Sequence, residues 1–256
     1  MPRIGLQLYT LRDDIAQSGL EGIVRVVARM GYEGIEHGGG FGKPDPSLLN
    51  LLQEAGLSVA GLGYSLEDLE TRLPEAVEYL HALNTRYAIT FWIDETQRRT
   101  ADDWHRLAER FDRAGEALAQ YGIHYLYHLH GYEFSPVEGD KRGVDILMEN
   151  TSPNAFNLEP DTYWVEYGGV DALAFCTEYA HRIRCAHLKD YVSKPEMHDV
   201  EVGEGAINME GIVRLAFQHG WDWLIVEQER YFRTPLESAE RCYHNLKRIV
   251  EAVAGR

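Results

Sequence analysis

The fold of this chain is constrained most by a short pattern that recurs along its length: an amphipathic stretch, a glycine and then an apolar run. A glycine at that place can adopt the left-handed conformation that ends a helix before the chain turns into a strand. Junctions of this kind spread over the whole chain indicate repeated βα units, and therefore a parallel sheet. The four clearest copies are ARMGYEGIE (28–36), QEAGLSVAGL (53–62), AQYGIHYLYH (119–128) and FQHGWDWLIVE (217–227), with the glycines Gly31, Gly56, Gly122 and Gly220.

Eight apolar segments between the helical stretches are candidates for strands. Eight alternations closed by a last helix over about 235–253 suit a (β/α)8 TIM barrel of about 250 residues, although counting alone also allows a doubly wound fold. Thr100 is a candidate N-cap for a long helix over 100–122. No Pro/Ser-rich linker divides the chain, so we predict a single α/β domain over residues 1–256. The candidate strands are Ile4–Tyr9, Gly34–His37, Leu57–Gly63, Tyr87–Trp92, His124–His128, Ala155–Leu158, Ile183–Leu188 and Leu224–Glu227.

Composition limits the class of partner. Hydrophobic residues make up 45% of the 256 residues, enough for a large core, and the formal net charge is −16. Binding to nucleic acid requires clustered Lys and Arg that displace counterions, so we expect no nucleic-acid partner. The N-terminus lacks a secretory signal, and no segment approaches the roughly 20 apolar residues of a membrane span. The three cysteines are widely spaced and form no CxxC, which predicts reduced thiols. We therefore expect a cytoplasmic protein, and the lack of a long apolar segment predicts that it has no membrane partner.

Ionisable side chains cluster at the carboxyl ends of the candidate strands, where the active site of a parallel barrel lies. A mixed set of carboxylates and imidazoles could bind Mn²⁺, Mg²⁺, Co²⁺ or Zn²⁺ and does not choose among them. Such an ion would stabilise the enediolate that forms when the carbon next to a carbonyl loses a proton. Carboxylates on both sides of the substrate could move that proton, and a lysine could stabilise negative charge. The clustered residues are Glu36, His37, His128, His130, Glu133, Asp161, His187, Lys189, Glu227 and Glu229.

Each of these residues also has a purely structural interpretation. A strand-end histidine is more often a packing residue than a ligand, although the alternation of His128 and His130 points both to one face and favours a functional role. An isolated carboxylate such as Glu36 is usually solvated, and Lys189 could pair with a neighbouring acid. The GEG segment at 203–205 lacks the spacing of a phosphate loop and indicates a turn. Three aromatic residues could line a sugar pocket or belong to the core: Tyr9, Trp92 and Trp164.

Five segments stand in one order at the spacing of barrel strands: YHLHGYEF, the DTYW that follows LEP, HLKD, VGEGAINM and IVEQE. Together they resemble the sugar phosphate isomerase/epimerase family of xylose isomerase-like barrels, in the branch with a YHNHxxEF segment that includes inosose dehydratase-like proteins. The resemblance runs from Ile4 to the last helix. It implies one divalent metal ion, for which we favour Mn²⁺, held by one residue from each of strands five to eight. Position by position, these ligands would be Glu133, Asp161, His187 and Glu227.

The same resemblance implies roles for the other residues of the cluster. His128 and His130 would face the substrate, and Lys189 occupies the family's HLKD lysine. The chain departs from the family pattern at Leu129, which replaces the usual Asn, and at Trp164, near which related epimerases place a histidine. The predicted catalytic residues are Glu133, Glu227, His128, His130 and Lys189, and the predicted substrate-binding residues are Glu36, Trp164 and Glu229.

The leading hypothesis is a metal-dependent isomerase or epimerase that acts on a keto-sugar or polyol through an enediolate. The alternative is a lyase, in which the enediolate expels a hydroxyl or glycosyl group, as in inosose-type dehydration or cleavage of a 3-keto-glycoside. A phosphodiesterase acting on abasic DNA is disfavoured by the net charge of −16 and the single ligand set. A sugar-binding barrel without catalysis is disfavoured by the four intact ligands. The sequence does not identify the sugar, and it does not decide whether the chain forms a homo-oligomer.

Overall fold

Eight parallel strands form one sheet in the computed structural model, which describes residues 1–255. The strands are β1 (Arg3–Gln7), β2 (Gly34–Gly38), β3 (Ser58–Gly63), β4 (Tyr87–Thr90), β5 (His124–His128), β6 (Phe156–Glu159), β7 (Cys185–Leu188) and β8 (Trp223–Val226). Their order in the sheet is β6-β5-β4-β3-β2-β1-β8-β7. Two isolated parallel bridges, Leu158 with Ile183 and Asp161 with His187, connect the two ends of this order. The sheet therefore closes into the predicted barrel.

Helices follow the strands and pack outside the sheet. They are α1 (Arg12–Met30), α2 (Pro46–Ala55), α3 (Leu66–Thr71), α4 (Leu73–Ala82), α5 (Ala101–Ala119), α6 (Gly143–Asn150), α7 (Thr162–Tyr167), α8 (Ala172–Glu178), α9 (Met209–His219) and α10 (Pro235–Ala254). Two short antiparallel hairpins extend the loops after β5 and β7: Pro136–Glu138 with Lys141–Arg142, and Asp190–Tyr191 with Asp199–Val200. Across the described chain, 1–255, none of the helices has the length and apolarity that a membrane crossing requires.

The local signals in the sequence account for this architecture. The four junction glycines have positive φ angles, from 66° at Gly220 to 104° at Gly31, so each takes the predicted left-handed conformation. Thr100 caps α5 in a capping box with Asp103. All eight predicted strands are present, but the third, fourth and seventh are shorter than predicted, and so is the first. It ends at Gln7 because the Gln7 side chain accepts a hydrogen bond from Tyr9 N at 3.1 Å and starts a 3₁₀ turn.

Side-chain alternation divides the barrel interior into an apolar end and an ionisable end. Along β8, Trp223 and Ile225 point inward and belong to a separate buried cluster that fills the amino-terminal part of the barrel. The next inward position after Ile225 is Glu227. In β7, Cys185 lies in the apolar cluster and His187 follows two residues later. The closed barrel thus positions its ionisable side chains above a packed apolar base.

We expect Gly115→Ala to destabilise the protein, although this change in a helix normally stabilises by about 0.5–1 kcal/mol. A Cβ at Gly115 in α5 would lie 1.9 Å from the carbonyl oxygen of Ala155. Since backbone must move to accommodate it, the free energy of unfolding should fall by about 1–3 kcal/mol. The matched control is Gly22→Ala in α1, where a Cβ meets nothing within 4 Å, and which should stabilise. Urea unfolding measures both variants, and equal stabilisation would contradict the packing described.

Candidate metal centre

Four inward-facing residues meet at the carboxyl ends of β5 to β8. His128, Asp161, His187 and Glu227 each offer one ligand atom, and these four atoms lie within 4.8 Å of one another. All four side chains are buried. Two imidazole nitrogens and two carboxylate oxygens form a donor set that suits Zn²⁺, Mn²⁺ or Co²⁺.

Two of these residues keep a buried polar atom that no hydrogen bond satisfies. Oδ1 of Asp161 caps α7 by accepting from the N–H groups of Tyr163 at 2.8 Å and Trp164 at 3.0 Å. Within the part of the chain that is described, Oδ2 of Asp161 and Nδ1 of His128 have no hydrogen-bond partner. An unsatisfied buried polar atom costs about 1–3 kcal/mol. Nδ1 of His128 lies 3.4 Å from Oε2 of Glu159. A cation among the four residues would supply the missing partner of Asp161 Oδ2, so the residues fit a divalent metal ion.

The pKa values of the two carboxylates are shifted in opposite directions. Burial raises the pKa of Asp161 to about 7, with Lys189 opposing the shift and Glu227 adding to it. Burial alone would also raise the pKa of Glu227, but its hydrogen bond to His187 and the charge of that imidazole lower it to about 2. The pKa of His187 is raised well above its usual value because Glu159 and Glu36 outweigh the effect of burial. A metal ion bound to His187 would displace its proton, so binding would release protons.

The carboxylate of Glu36 contacts the imidazole of His187. Oε2 of Glu36 lies 2.7 Å from Nε2 of His187 and accepts a hydrogen bond from Nε2 of Gln7 at 2.8 Å. Nδ1 of His187 lies 3.2 Å from Oε2 of Glu227, so this nitrogen faces the four-residue group. Burial and the charge of Glu36 raise the pKa of the adjacent Glu159 well above its usual value. A carboxylate bonded to a metal-binding imidazole fixes the ring and raises its basicity.

Glu36 was predicted as a substrate-binding residue, but the structure places it away from the cavity lining. It is fully buried, and among residues 1–255 it is not one of those that line the cavity. Alternation along β2 turns Glu36 into the barrel, where its register partner on β1 is Gln7. Its contacts assign it to the support of His187.

Glu133 likewise lies outside the four-residue group, although the family pattern implied it as a ligand. The chain leaves β5 after His128, and Glu133 lies in the 3₁₀ turn Tyr132–Phe134. Its carboxylate accepts hydrogen bonds from Tyr127 Oη at 2.7 Å and from the backbone N–H of His130 at 2.9 Å. Burial raises its pKa to about 7. Because the inward alternation ends at the turn, the fifth strand presents His128 to the group, and Glu133 holds the loop that carries His130.

Lys189 is bonded to acids beside the site. Its Nζ pairs with Glu229, lies 3.8 Å from Asp199 and is buried. Burial would lower its pKa, but Asp161 and Glu227 raise it, so Lys189 stays charged. The loop around it is held by Asp190, whose Oδ2 accepts from the N–H groups of Gly203 at 3.0 Å and Gly205 at 3.1 Å. GEG at 203–205 thus forms the predicted turn.

A cavity of about 990 Å³ opens above the four-residue group. His128, His187 and Glu227 line its buried end, and Asp161 lies behind them. Six further residues that the sequence singled out also line it: Tyr9, His37, Trp92, His130, Trp164 and Glu229. The cavity is also lined by Phe91, Tyr132 and Tyr167, which were not predicted. The signal that could have found them is the presence of aromatic residues just beyond strand ends.

Comparison with known proteins supports this fold. Residues 24–249 match the sequence model of the xylose isomerase-like TIM barrel family. The inosose dehydratase of Geobacillus kaustophilus is 28% identical over 95% of this chain and 96% of that protein. The structure of a sugar phosphate isomerase/epimerase from Parabacteroides distasonis superposes with a TM-score of 0.82 at 22% identity, covering 98% of this chain and 96% of the other. The crystal structure of the IOLI protein with a binding zinc atom superposes with a TM-score of 0.70 at 16% identity, covering 98% and 99%.

We expect His128→Gln to weaken metal binding at least tenfold, since loss of a ligand should cost no less than loss of a supporting residue, about 10–100-fold. Glu133→Gln should leave the affinity within about twofold, because Glu133 is bonded to Tyr127 and His130 and faces away from the group. Titration calorimetry of metal-free protein with Zn²⁺ and with Mn²⁺ measures both variants. The reverse order of effects would restore Glu133 to the ligand set.

Glu36→Gln should weaken the binding of Zn²⁺ about tenfold while the four ligands stay in place, because a neutral amide is a weaker acceptor for Nε2–H of His187. The same calorimetric titration provides the affinity, and urea unfolding shows that the fold is intact. Unchanged affinity in a folded Glu36→Gln variant would remove Glu36 as a support of His187.

Proposed function

We propose that this chain, which belongs to the xylose isomerase-like TIM barrel family, is a divalent-metal-dependent lyase that removes an oxygen substituent from a keto-sugar or keto-polyol. The observation that carries the proposal is the meeting of His128, Asp161, His187 and Glu227 at the buried end of a large cavity. The similarity of 95% of this chain to an inosose dehydratase supports a lyase function.

The four residues would bind the ion, and their supports would keep them in place. A bound divalent ion would act as a Lewis acid on the carbonyl oxygen of the substrate and make the neighbouring C–H group acidic. Glu36 fixes the ring of His187 through Nε2. The N–H groups at the start of α7 fix the carboxylate of Asp161. Ligands held in this way cost little reorganisation when the substrate binds.

His130 is the residue best placed to move the proton. Its ring lines the cavity, 4.7 Å from the ring of His128 between centroids, and stacks on Tyr132. In the described chain its Nδ1 has no hydrogen-bond partner. The imidazole of His130 can accept the proton from the carbon next to the carbonyl and return it to the departing oxygen. The C–H electron pair becomes the new C=C bond, and the C–O electron pair leaves with the oxygen as water or an alcohol.

The placement of the carboxylates favours elimination over the isomerase reaction that led the sequence hypotheses. Two-base epimerisation through carboxylates requires one on each face of the substrate, and Glu133 is bonded away from the cavity. Among the described residues, the carboxylates that line the cavity are Glu227 and Glu229, both from the segment after β8. Epimerisation is the second candidate, because Glu227 and His130 could exchange a proton with opposite faces.

A substrate panel separates the two reactions. Metal-free protein is loaded with Zn²⁺, Mn²⁺, Co²⁺ or Mg²⁺ and incubated with inososes, 3-keto-glucosides and free ketohexoses. We expect an enone chromophore from an inosose or a 3-keto-glucoside, and we expect EDTA to abolish it and to lower the melting temperature, since an ion that binds only the folded state stabilises it. Isomeric products without the chromophore would favour epimerisation, and full activity in EDTA with an unchanged melting temperature would refute the metal-dependent proposal.

His130→Asn should lower kcat about 10²–10⁴-fold, the usual contribution of a positioned acid or base, and leave the affinity for Zn²⁺ unchanged. The matched control is His81→Asn, since His81 is an exposed histidine on α4 whose Nε2 contacts the backbone oxygen of Tyr121. Steady-state kinetics and calorimetry provide the two quantities. Wild-type kcat in the His130 variant would exclude it as the proton carrier.

A further inference from the structure

The cavity above the four-residue group is larger than one keto-sugar ring requires. Its volume of about 990 Å³ is at the upper end of the range of about 300–1,000 Å³ that holds drug-sized ligands. Its buried end is lined by imidazole and carboxylate groups, whereas its open end is lined mostly by aromatic and aliphatic side chains. The change in polarity along the cavity indicates a ligand with one polar and one apolar part.

One side of the cavity is a continuous aromatic wall, formed by Trp92, His130, Trp164 and Tyr167. His130 touches Trp92 at 5.3 Å and Trp164 at 5.6 Å between ring centres. Trp164 in turn touches Tyr167 at 5.3 Å. Trp92 and Tyr167 are 57% and 60% exposed. Large exposed aromatic side chains that continue a cavity mark a surface on which a flat group can stack.

Three aliphatic side chains, here the aliphatic side, lie in the lining together with Gln7, Tyr9 and Arg12 from the same part of the chain. Leu8 comes from the turn after β1, and Ile15 and Leu20 come from α1. Their side chains carry no hydrogen-bonding group for the hydroxyls of a second sugar ring. A flat apolar group between these residues and the aromatic wall would bury apolar surface on both of its faces, which stabilises the complex.

The cavity is poorly suited to a phosphate group. Of the lining residues in the described chain, Arg12 is the one lysine or arginine. Its guanidinium donates to the backbone oxygens of Tyr9 at 3.0 Å and Glu229 at 3.2 Å. These contacts favour an uncharged ligand.

We propose that the substrate is an uncharged keto-glycoside with a flat apolar aglycone. Its keto ring would lie among His128, His187 and Glu227, and its aglycone between the aromatic wall and the aliphatic side. This inference rests on the proposed function, since the aglycone is the group that elimination releases. The bond between the ring carbon and the aglycone oxygen breaks with its electron pair going to that oxygen. The oxygen takes up the proton removed from the ring, and the ring keeps the new C=C bond.

Binding of stable analogues tests the aglycone site without any reaction. Calorimetry with the Zn²⁺-loaded protein compares phenyl β-glucoside, methyl β-glucoside, cellobiose and glucose 6-phosphate. The phenyl glucoside should bind about tenfold more tightly than the methyl glucoside, as expected for a stacked aromatic group, and the phosphate should bind most weakly. Equal affinity of the phenyl and methyl glucosides, or tightest binding of cellobiose or of the phosphate, would overturn the inference.

Variants of residues at the open end of the cavity test where the phenyl group binds. Trp92→Ala and Tyr167→Ala should each reduce the preference for the phenyl glucoside several-fold, and both side chains are exposed enough that their loss should not unfold the chain. Tyr121→Ala is the control, because Tyr121 is 48% exposed and lies outside the cavity lining. An unchanged preference in both cavity variants would contradict the stacking site. A persistent phenyl preference with no turnover of any keto-sugar would reject the proposed reaction and retain the binding site.

Discussion

The site depends on the pairing of His187 with a carboxylate on each of its two ring nitrogens. Nε2 faces Glu36 at 2.7 Å and Nδ1 faces Glu227 at 3.2 Å. Buried charges are costly unless they are paired, so these groups stabilise one another only when all three are held together. Glu36 lies on β2 and His187 on β7, two strands that are not neighbours in the sheet. Their contact crosses the barrel interior, and it therefore requires that the sheet close.

The repeated βα units were predictable because their signals are local, whereas closure of the sheet was favoured by the count of eight strands and implied by the family resemblance. Each junction glycine ends a helix by its own backbone conformation, and strand alternation follows from the pleat, so neither depends on distant contacts. The convergence of Asp161, His187 and Glu227 followed from the same reasoning, since carboxyl ends of parallel strands meet at one end of a barrel. The sequence pattern does not show how deeply each side chain is buried. Glu36 and Trp164 both stand near strand ends in the sequence, yet Glu36 is fully buried and Trp164 lines the cavity.

The choice between Glu133 and His128 shows a second limit of sequence reasoning. Alternation holds only while the chain remains a strand, and β5 ends at His128. At Gly131, a side chain would collide with Tyr167, because a Cβ there would lie 2.7 Å from its ring. The chain turns at this glycine, and Glu133 folds back to accept hydrogen bonds from Tyr127 and from the backbone N–H of His130. The family motif marks Glu133 as a candidate, but only the path of the turn shows what its carboxylate contacts.

The layers of the barrel interior also bear on the proposed elimination. Apolar packing fills the base of the barrel below the carboxylates, and the aromatic wall forms one side of the cavity above them. In such surroundings the charge of a bound ion would act on a substrate carbonyl with less screening than in water. The same aromatic wall gives an organic leaving group an apolar surface to occupy once its bond has broken. Charge stabilisation and leaving-group accommodation thus lie at opposite ends of one cavity, and a substrate that spans both ends would use each of them.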